Sequence, residues 1–283
     1  MKVGAHLSIA GGFHYSLDKI NEIGGNCLQI FSQSPRNWGT PEINEEQLAI
    51  FKKKRNDYRI DPIYFHASYL VNLADSENIG KKSVIYLIQE LALANKMNIM
   101  GTIIHLGSFR SKDKPTIKQY DILFSHIQEI LDHSPENTLC IIENAGNKKI
   151  CCSLEELGFI VKMLNYKRVE VCLDTCHLWA AGYDLSTPEL FQRYFDSFDK
   201  YVGLDTLELF QVNDSKDDLG SYRDRHENLG EGNIPQNEFR LLTTNPITKD
   251  KPMILEVPGF DKKGPDQKNI ATMKMYAENN LTK

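Results

Sequence analysis

The sequence predicts an α/β protein, a single-domain (β/α)8 barrel (TIM barrel) over residues 1–283. Three observations predict it. Eight short, β-branched apolar runs recur along the chain, segments with helical apolar spacing separate them, and six consecutive runs end on a polar residue. Strands alternating with helices build parallel βα units, and eight such units in 283 residues suit a closed barrel better than an open sheet.

The runs are Val3–Leu7, Asn26–Phe31, Pro62–His66, Thr102–Leu106, Leu139–Glu143, Val169–Asp174, Leu207–Val212 and Met253–Val257. Helical spacing is clearest over Glu45–Asp57, Asn78–Met97, Ile117–Leu131, Leu154–Leu164 and Pro188–Tyr201. The first run leads into Gly11-Gly12, which is not the G-x-G-x-x-G fingerprint of a doubly wound nucleotide-binding sheet. The opening MKVGAHLSIAGG therefore reads as a strand and a turn rather than a signal peptide. No repeat, linker or low-complexity tract interrupts the pattern.

Composition excludes several classes. Apolar residues make up 41% and charged residues 25%, ordinary globular usage that rules out disorder, collagen and coiled coil. Lys+Arg total 33 against 38 Asp+Glu, a net charge of −5, so any contact with nucleic acid must be a local basic face. No apolar stretch reaches the roughly 20 residues that span a bilayer, so no membrane partner is expected. Of six cysteines, Cys27, Cys140 and Cys172 lie in apolar runs and read as reduced core residues; the expected compartment is the cytoplasm.

The strand ends carry the functional signal. Six consecutive runs present His66, His105, Glu143, Asp174, Gln211 and Glu256 at or near their C-terminal ends. In a barrel these ends converge on the face where active sites lie. A carboxylate in such a mouth must be paired, and three would repel one another unless cations lie between them. His177, in the loop after Asp174, and the Asp-x-His pair Asp224 and His226 bring the set to nine metal-competent positions, more than one ion needs. Imidazole with carboxylate suits catalytic zinc.

Three stretches resemble the endonuclease IV family, the zinc-dependent apurinic/apyrimidinic (AP) endonucleases. They are His66-Ala-Ser-Tyr-Leu-Val-Asn72, Val171-Cys-Leu-Asp-Thr-Cys-His177, and Gln211-Val-Asn-Asp-Ser-Lys216 followed by Gly220-Ser-Tyr-Arg-Asp-Arg-His226. Gly4-Ala-His-Leu-Ser8 and Leu229-Gly-Glu-Gly-Asn233 are also similar, so the likeness runs over nearly the whole chain. It implies a (β/α)8 barrel with up to three zinc ions. His66, His105 and Glu143 would hold the first. Glu143 would bridge to a second, completed by Asp174, Glu256 and residue 211. His177, Asp224 and His226 would hold the third.

The family has His where this chain has Gln211. An amide oxygen is a weaker, harder donor than imidazole, so the second site becomes all-oxygen, weakly occupied or open to Mn2+. Family likeness also makes Arg36, Tyr69 and Leu70 the DNA-binding side chains that enter the duplex where an abasic nucleotide is flipped out. Lys148, Lys149, Lys216, Arg223 and Arg225 lie in the same group of loops and could meet phosphates. His6 reads equally as a partner of the site or a core residue, and His14, His126 and His133 as surface residues.

The implied reaction is metal-assisted hydrolysis of the phosphodiester 5′ to an abasic site in double-stranded DNA, by a monomer, with Glu143 and Glu256 catalytic. A 3′-hydroxyl and a 5′-deoxyribose phosphate result. Two other readings stay open. One is a metal-dependent sugar isomerase or epimerase, built on Glu143, Asp174, residue 211 and Glu256. The other is a damaged-DNA binder whose second metal site is impaired by Gln211.

Overall fold

A computed structural model describes residues 1–40, 42–110 and 114–278. Its strands are β1 (Val3–Leu7), β2 (Cys27–Phe31), β3 (Ile63–His66), β4 (Gly101–Ile104), β5 (Leu139–Glu143), β6 (Val169–Asp174), β7 (Leu207–Gln211), β8 (Asp214–Ser215), β9 (His226–Glu227) and β10 (Met253–Leu255). The helices are α1 (Phe13–Glu22), α2 (Glu45–Tyr58), α3 (Asn78–Met97), α4 (Ile117–His133), α5 (Leu154–Leu164), α6 (Thr175–Ala181), α7 (Pro188–Tyr201), α8 (Gln236–Thr244) and α9 (Gln267–Glu278). Eight strands close into a parallel barrel in the order β1-β10-β7-β6-β5-β4-β3-β2, and β8 and β9 form a small antiparallel ribbon above it. The eight-unit expectation therefore stands. Two boundaries differ in a way that matters: β4 stops at Ile104 and β10 at Leu255, so His105 and Glu256 lie one residue past their strands.

Local chemistry starts and stops the helices. Asn44 caps α2 by accepting from the Gln47 amide at 2.8 Å, and Thr187 caps α7 ahead of Pro188 at its first turn. Asp174 ends β6 and at once caps α6, accepting from the His177 amide at 2.9 Å. Gly182, left-handed at φ 97°, closes that helix after two turns.

Strand alternation positions the site. Outward residues such as Phe65, Ile104, Ile142 and Leu173 pack under the helices in the main core. Cys27, Tyr64, Ile103, Ile141, Cys172, Leu209 and Ile254 form a separate buried cluster inside the barrel. Two residues further along each strand direction stand Gln29, His66, His105, Glu143, Asp174, Gln211 and Glu256. One apolar layer thus forms the floor, and one polar layer rests on it. In β1 the floor position is Gly4, whose added Cβ would lie 2.0 Å from the Cys27 carbonyl oxygen.

Gly4→Ala should cost roughly 1–3 kcal/mol, the usual range for forcing atoms into a filled interior. Denaturant midpoints of the two proteins measure it. A loss below about 0.5 kcal/mol would mean the floor yields without strain.

Candidate metal centre

The polar layer is a lattice of imidazoles and carboxylates. Five rings run in sequence around the mouth: His6 to His66 at 5.9 Å between centroids, His66 to His105 at 5.5 Å, His105 to His177 at 5.6 Å, and His177 to His226 at 5.8 Å. Glu143, almost wholly buried, lies beneath them. One of its oxygens is 3.2 Å from His66 Nε2 and 3.4 Å from His105 Nε2; the other is 3.1 Å from His177 Nδ1. Asp224 Oδ1 lies between His177 Nε2 at 3.1 Å and His226 Nε2 at 3.2 Å. His6 Nδ1 is 3.0 Å from Glu256 Oε1.

Backbone carbonyls orient three of the histidines. Nδ1–H of His66 donates to the Ala67 carbonyl at 2.8 Å, that of His177 to Asn144 at 2.9 Å, and that of His226 to Glu256 at 3.3 Å. With Nδ1 held on a carbonyl, each Nε2 is the ring atom turned to the mouth, where an ion would take the place of its proton, the arrangement seen in metal-binding histidines. His66, His105 and Glu143 bring donor atoms within 4.8 Å of one another, as do Asp174, His177 and His226. Cys176, Asp224 and His226 form a third such group. Gln211 Oε1 is buried without a hydrogen-bond partner. This donor set fits metal ions.

The electrostatics follow from burial and pairing. Burial works against a charged imidazole at His66, but the hydrogen bond and charge of Glu143 outweigh it and lift the ring to about 9. At His226 burial likewise lowers, yet Asp174 and Asp224 raise it to about 9. For His105 burial wins and the pKa falls to about 4. Burial raises Glu143 and Glu256 too. The surrounding histidines hold Glu143 far below the carboxylate range, and His6 and His66 bring Glu256 to about 2. At Asp174 burial prevails over His177 and His226, and its pKa is raised.

The nine expected residues all lie in this one mouth, though not grouped as expected throughout. The first trio gathers as expected. His177 stands on α6 rather than in a loop, because Asp174 starts a helix at once. The expected second set does not gather among the described residues. Asp174 is turned to N–H donors instead, the His177 amide at 2.9 Å and Asn213 Nδ2 at 2.6 Å, while Gln211 Nε2 donates to Glu256 at 3.1 Å. Like charges so placed relax toward donors.

Sequence reasoning passed over Gln29, Cys176, Asn144 and Asn213. Asn213 ties Asp174 to Glu256, donating to the Asp174 carboxylate and accepting from the Glu256 amide at 2.7 Å. Of the other histidines, only His133 is fully on the surface. His126 is half-buried, with Nδ1–H on the Leu73 carbonyl at 2.8 Å, and His14 is half-buried.

Above the mouth is a cleft of about 340 Å³ whose walls include Phe31, Tyr69, Glu256, Gly264 and Pro265. Tyr69 is 67% exposed and stands edge-on to Phe31, with centroids 5.3 Å apart. Arg36 is exposed and Leu70 half-buried. Ser68 Oγ donates to the Pro35 carbonyl at 2.7 Å, joining the two loops that carry these three residues. The other loop cations are partly engaged. Arg225 grips Asp217 at 2.7 and 2.6 Å, Arg223 lies 3.6 Å from the same carboxylate, Lys216 lies 3.8 Å from Glu227, and Lys148 lies over Tyr222.

Residues 17–277 match the family described as xylose isomerase-like TIM barrel. "Probable endonuclease 4" of Halothermothrix orenii is 36% identical over 276 residues, spanning 94% of this chain and 96% of that protein. The chain belongs to the endonuclease IV family. The solved endonuclease IV from Thermus thermophilus superposes with a TM-score of 0.86 at 29% identity, covering 99% of this chain and all of that one. A D-tagatose 3-epimerase-like protein also superposes over the full length of both chains, with a TM-score of 0.76 at 19% identity, and shares the fold alone.

In protein stripped of metal, the raised histidines link stability to pH. A group lifted from 6.5 to about 9 contributes in full below pH 6.5 and loses its contribution as pH climbs through about 9. The thermal midpoint of chelator-treated protein should therefore fall over that interval. A midpoint that stays level or rises would mean these pairs do not hold the mouth together.

Proposed function

We propose that residues 1–283 form one catalytic domain that works as a monomer in the cytosol, cutting the phosphodiester 5′ to an abasic site in duplex DNA. The observation that carries this reading is the coexistence, in an endonuclease IV chain, of a mouth where three groups of metal-competent side chains gather and an exposed aromatic at its rim. Membership of that family makes the chain an AP endonuclease of DNA repair, a hydrolase. Six free cysteines favour a reducing compartment, and no helix among the described residues is long and apolar enough to cross a membrane.

His66, His105 and Glu143 would hold one ion, and His177, Asp224 and His226 another. Glu143, Asp174, Gln211 and Glu256 would hold a third, more weakly. Zinc fits the histidine-bearing sets, and Mn2+ is the harder alternative for the all-oxygen set. Ions in these sites would lower the pKa of a water and neutralise charge at the scissile phosphate.

The chain's own groups do the remaining work. Glu143 and Glu256, the catalytic pair, flank the mouth from floor and wall and can orient the attacking water and accept its proton. Water adds to phosphorus, the bond from phosphorus to the 3′-oxygen breaks, and that oxygen takes a proton to become the 3′-hydroxyl. The phosphate stays on the 5′ side of the abasic sugar. Tyr69, Leu70 and Arg36 stand where they can fill the gap left by an extruded abasic nucleotide. An abasic site is already unstacked, so extrusion there costs least.

The test is a duplex carrying a tetrahydrofuran abasic analogue, which cannot undergo β-elimination. Incision on its 5′ side, abolished by chelator and restored by Zn2+, is expected. No incision, or incision untouched by exhaustive chelation, would overturn the reading.

Tyr69→Ala should weaken binding to the abasic duplex by about 1–3 kcal/mol, the usual worth of an aromatic stacked on a base. Intact duplex should be affected much less. Arg36→Ala should act in the same direction. Fluorescence titration with both duplexes over a salt series measures this, and equal losses on the two would assign Tyr69 to packing.

A further inference from the structure

Gln29 lies within β2, wholly buried, and the reaction described above makes no use of it. An amide placed inside a barrel must satisfy both of its ends. Gln29 does so entirely within the polar layer. Its nitrogen donates to Glu256 Oε1 and lies 2.7 Å from His6 Nδ1, and its oxygen accepts from Gln211 Nε2 at 3.2 Å. The remaining amide proton of Gln211 goes to Glu256 Oε1 at 3.1 Å. Two amides and one carboxylate oxygen therefore close a ring.

That ring has one sense. Turning Gln211 over would set its oxygen against both the Gln29 oxygen and the Glu256 carboxylate, two contacts with no proton between them. Gln29 and Glu256 together thus point the Gln211 nitrogen toward themselves and its oxygen away. The oxygen is the atom left buried without a partner, on a residue whose neighbour in strand register is Asp174.

We propose that Gln29 is a positioning residue that holds the Gln211 amide with its oxygen free to bind the second metal ion. The proposal rests on Gln211 being a ligand. It assigns Gln29 a task specific to a chain with glutamine at position 211. An imidazole there coordinates through nitrogen whichever end it presents, so Gln29 could at most accept from its other ring N–H and would have no oxygen end to select.

The full-length protein is loaded with Mn2+, and each binding step is followed by electron paramagnetic resonance, with metal content measured after dialysis. Gln29→Met keeps length and shape but removes the amide. It should weaken the weakest-bound equivalent about tenfold, as loss of a partner to a metal ligand does, leaving the tighter equivalents unchanged. In a Gln211→His background the same substitution should have far less effect. An equal loss in both backgrounds, or none with Gln211 present, would overturn the proposal. Gln211→Ala separates the underlying reading: unchanged affinity in that variant means residue 211 is not a ligand at all. Should Gln29→Met fail to fold, Gln29→Asn, too short to reach Gln211, should give the same loss.

Discussion

Four carboxylates, Glu143, Asp174, Asp224 and Glu256, face one narrow mouth, and Glu143 and Asp174 are all but sealed from water. Burying a single unpaired carboxylate costs several kcal/mol even after relaxation. The rest of the site is arranged around that cost. Five imidazoles line the carboxylates, three of them oriented by backbone carbonyls, and Asn213 bridges two of the acids. Beneath lies a wholly buried apolar floor. The site can exist only because a closed barrel brings residues more than two hundred positions apart onto one rim, as the contact between His6 and Glu256 shows.

The rim is held from below as firmly as the mouth. Glu90, on α3 and without exposure to solvent, accepts from Ser32 Oγ at 2.5 Å, Tyr86 at 2.7 Å and Thr102 at 2.6 Å. Burial pushes its carboxyl up, and three hydroxyl donors offset part of that. Ser32 opens the loop that carries Arg36, and Tyr86 meets Trp38 edge-on in the same loop, with centroids 6.1 Å apart. Through Ser68 and the Pro35 carbonyl that loop is fastened to the one carrying Tyr69. Exposed Arg36 and Tyr69 thus stand on a supported platform. A side chain so supported loses less conformational freedom when it meets a partner.

How much of this was legible in the sequence follows from period and register. The barrel was legible because the apolar runs and helical segments alternate eight times. The polar layer of the mouth was legible because His66, Glu143, Asp174 and Gln211 close their strands and His105 and Glu256 follow theirs by one residue. Gln29 was not, because β2 runs two residues past the polar layer to Phe31, so its layer residue sits mid-strand. The signal existed nonetheless: Gln29 follows Cys27 by two, as His66 follows Tyr64 and Glu143 follows Ile141. The turn of Asp174 toward the His177 amide was hidden for another reason. A carboxylate that ends a strand and caps the next helix looks, in sequence, like one that only ends a strand. Cys176 was overlooked because its neighbours Asp224 and His226 come from a ribbon whose fold the sequence does not announce.

The resemblance to epimerase barrels shows what the scaffold leaves undecided. A parallel eight-stranded barrel converges its strand ends whatever they carry, so the fold alone is equally at home with sugar or nucleic acid chemistry. The elements beyond the strand ends decide between them. One is α6, which Asp174 begins and Gly182 ends, and which holds His177 over the mouth. Another is the segment leading into β9, which brings Asp224 and His226 to meet it. Together they add a second metal-competent cluster beside the first, and they widen the charged face from a point to a strip. Tyr69 and Arg36 stand on the loops after β3 and β2, fastened to each other and braced from α3. A small sugar enclosed in a pocket would need neither an exposed ring nor an exposed guanidinium at the rim. A duplex lying across the rim would meet both, with its backbone over the strip of donors.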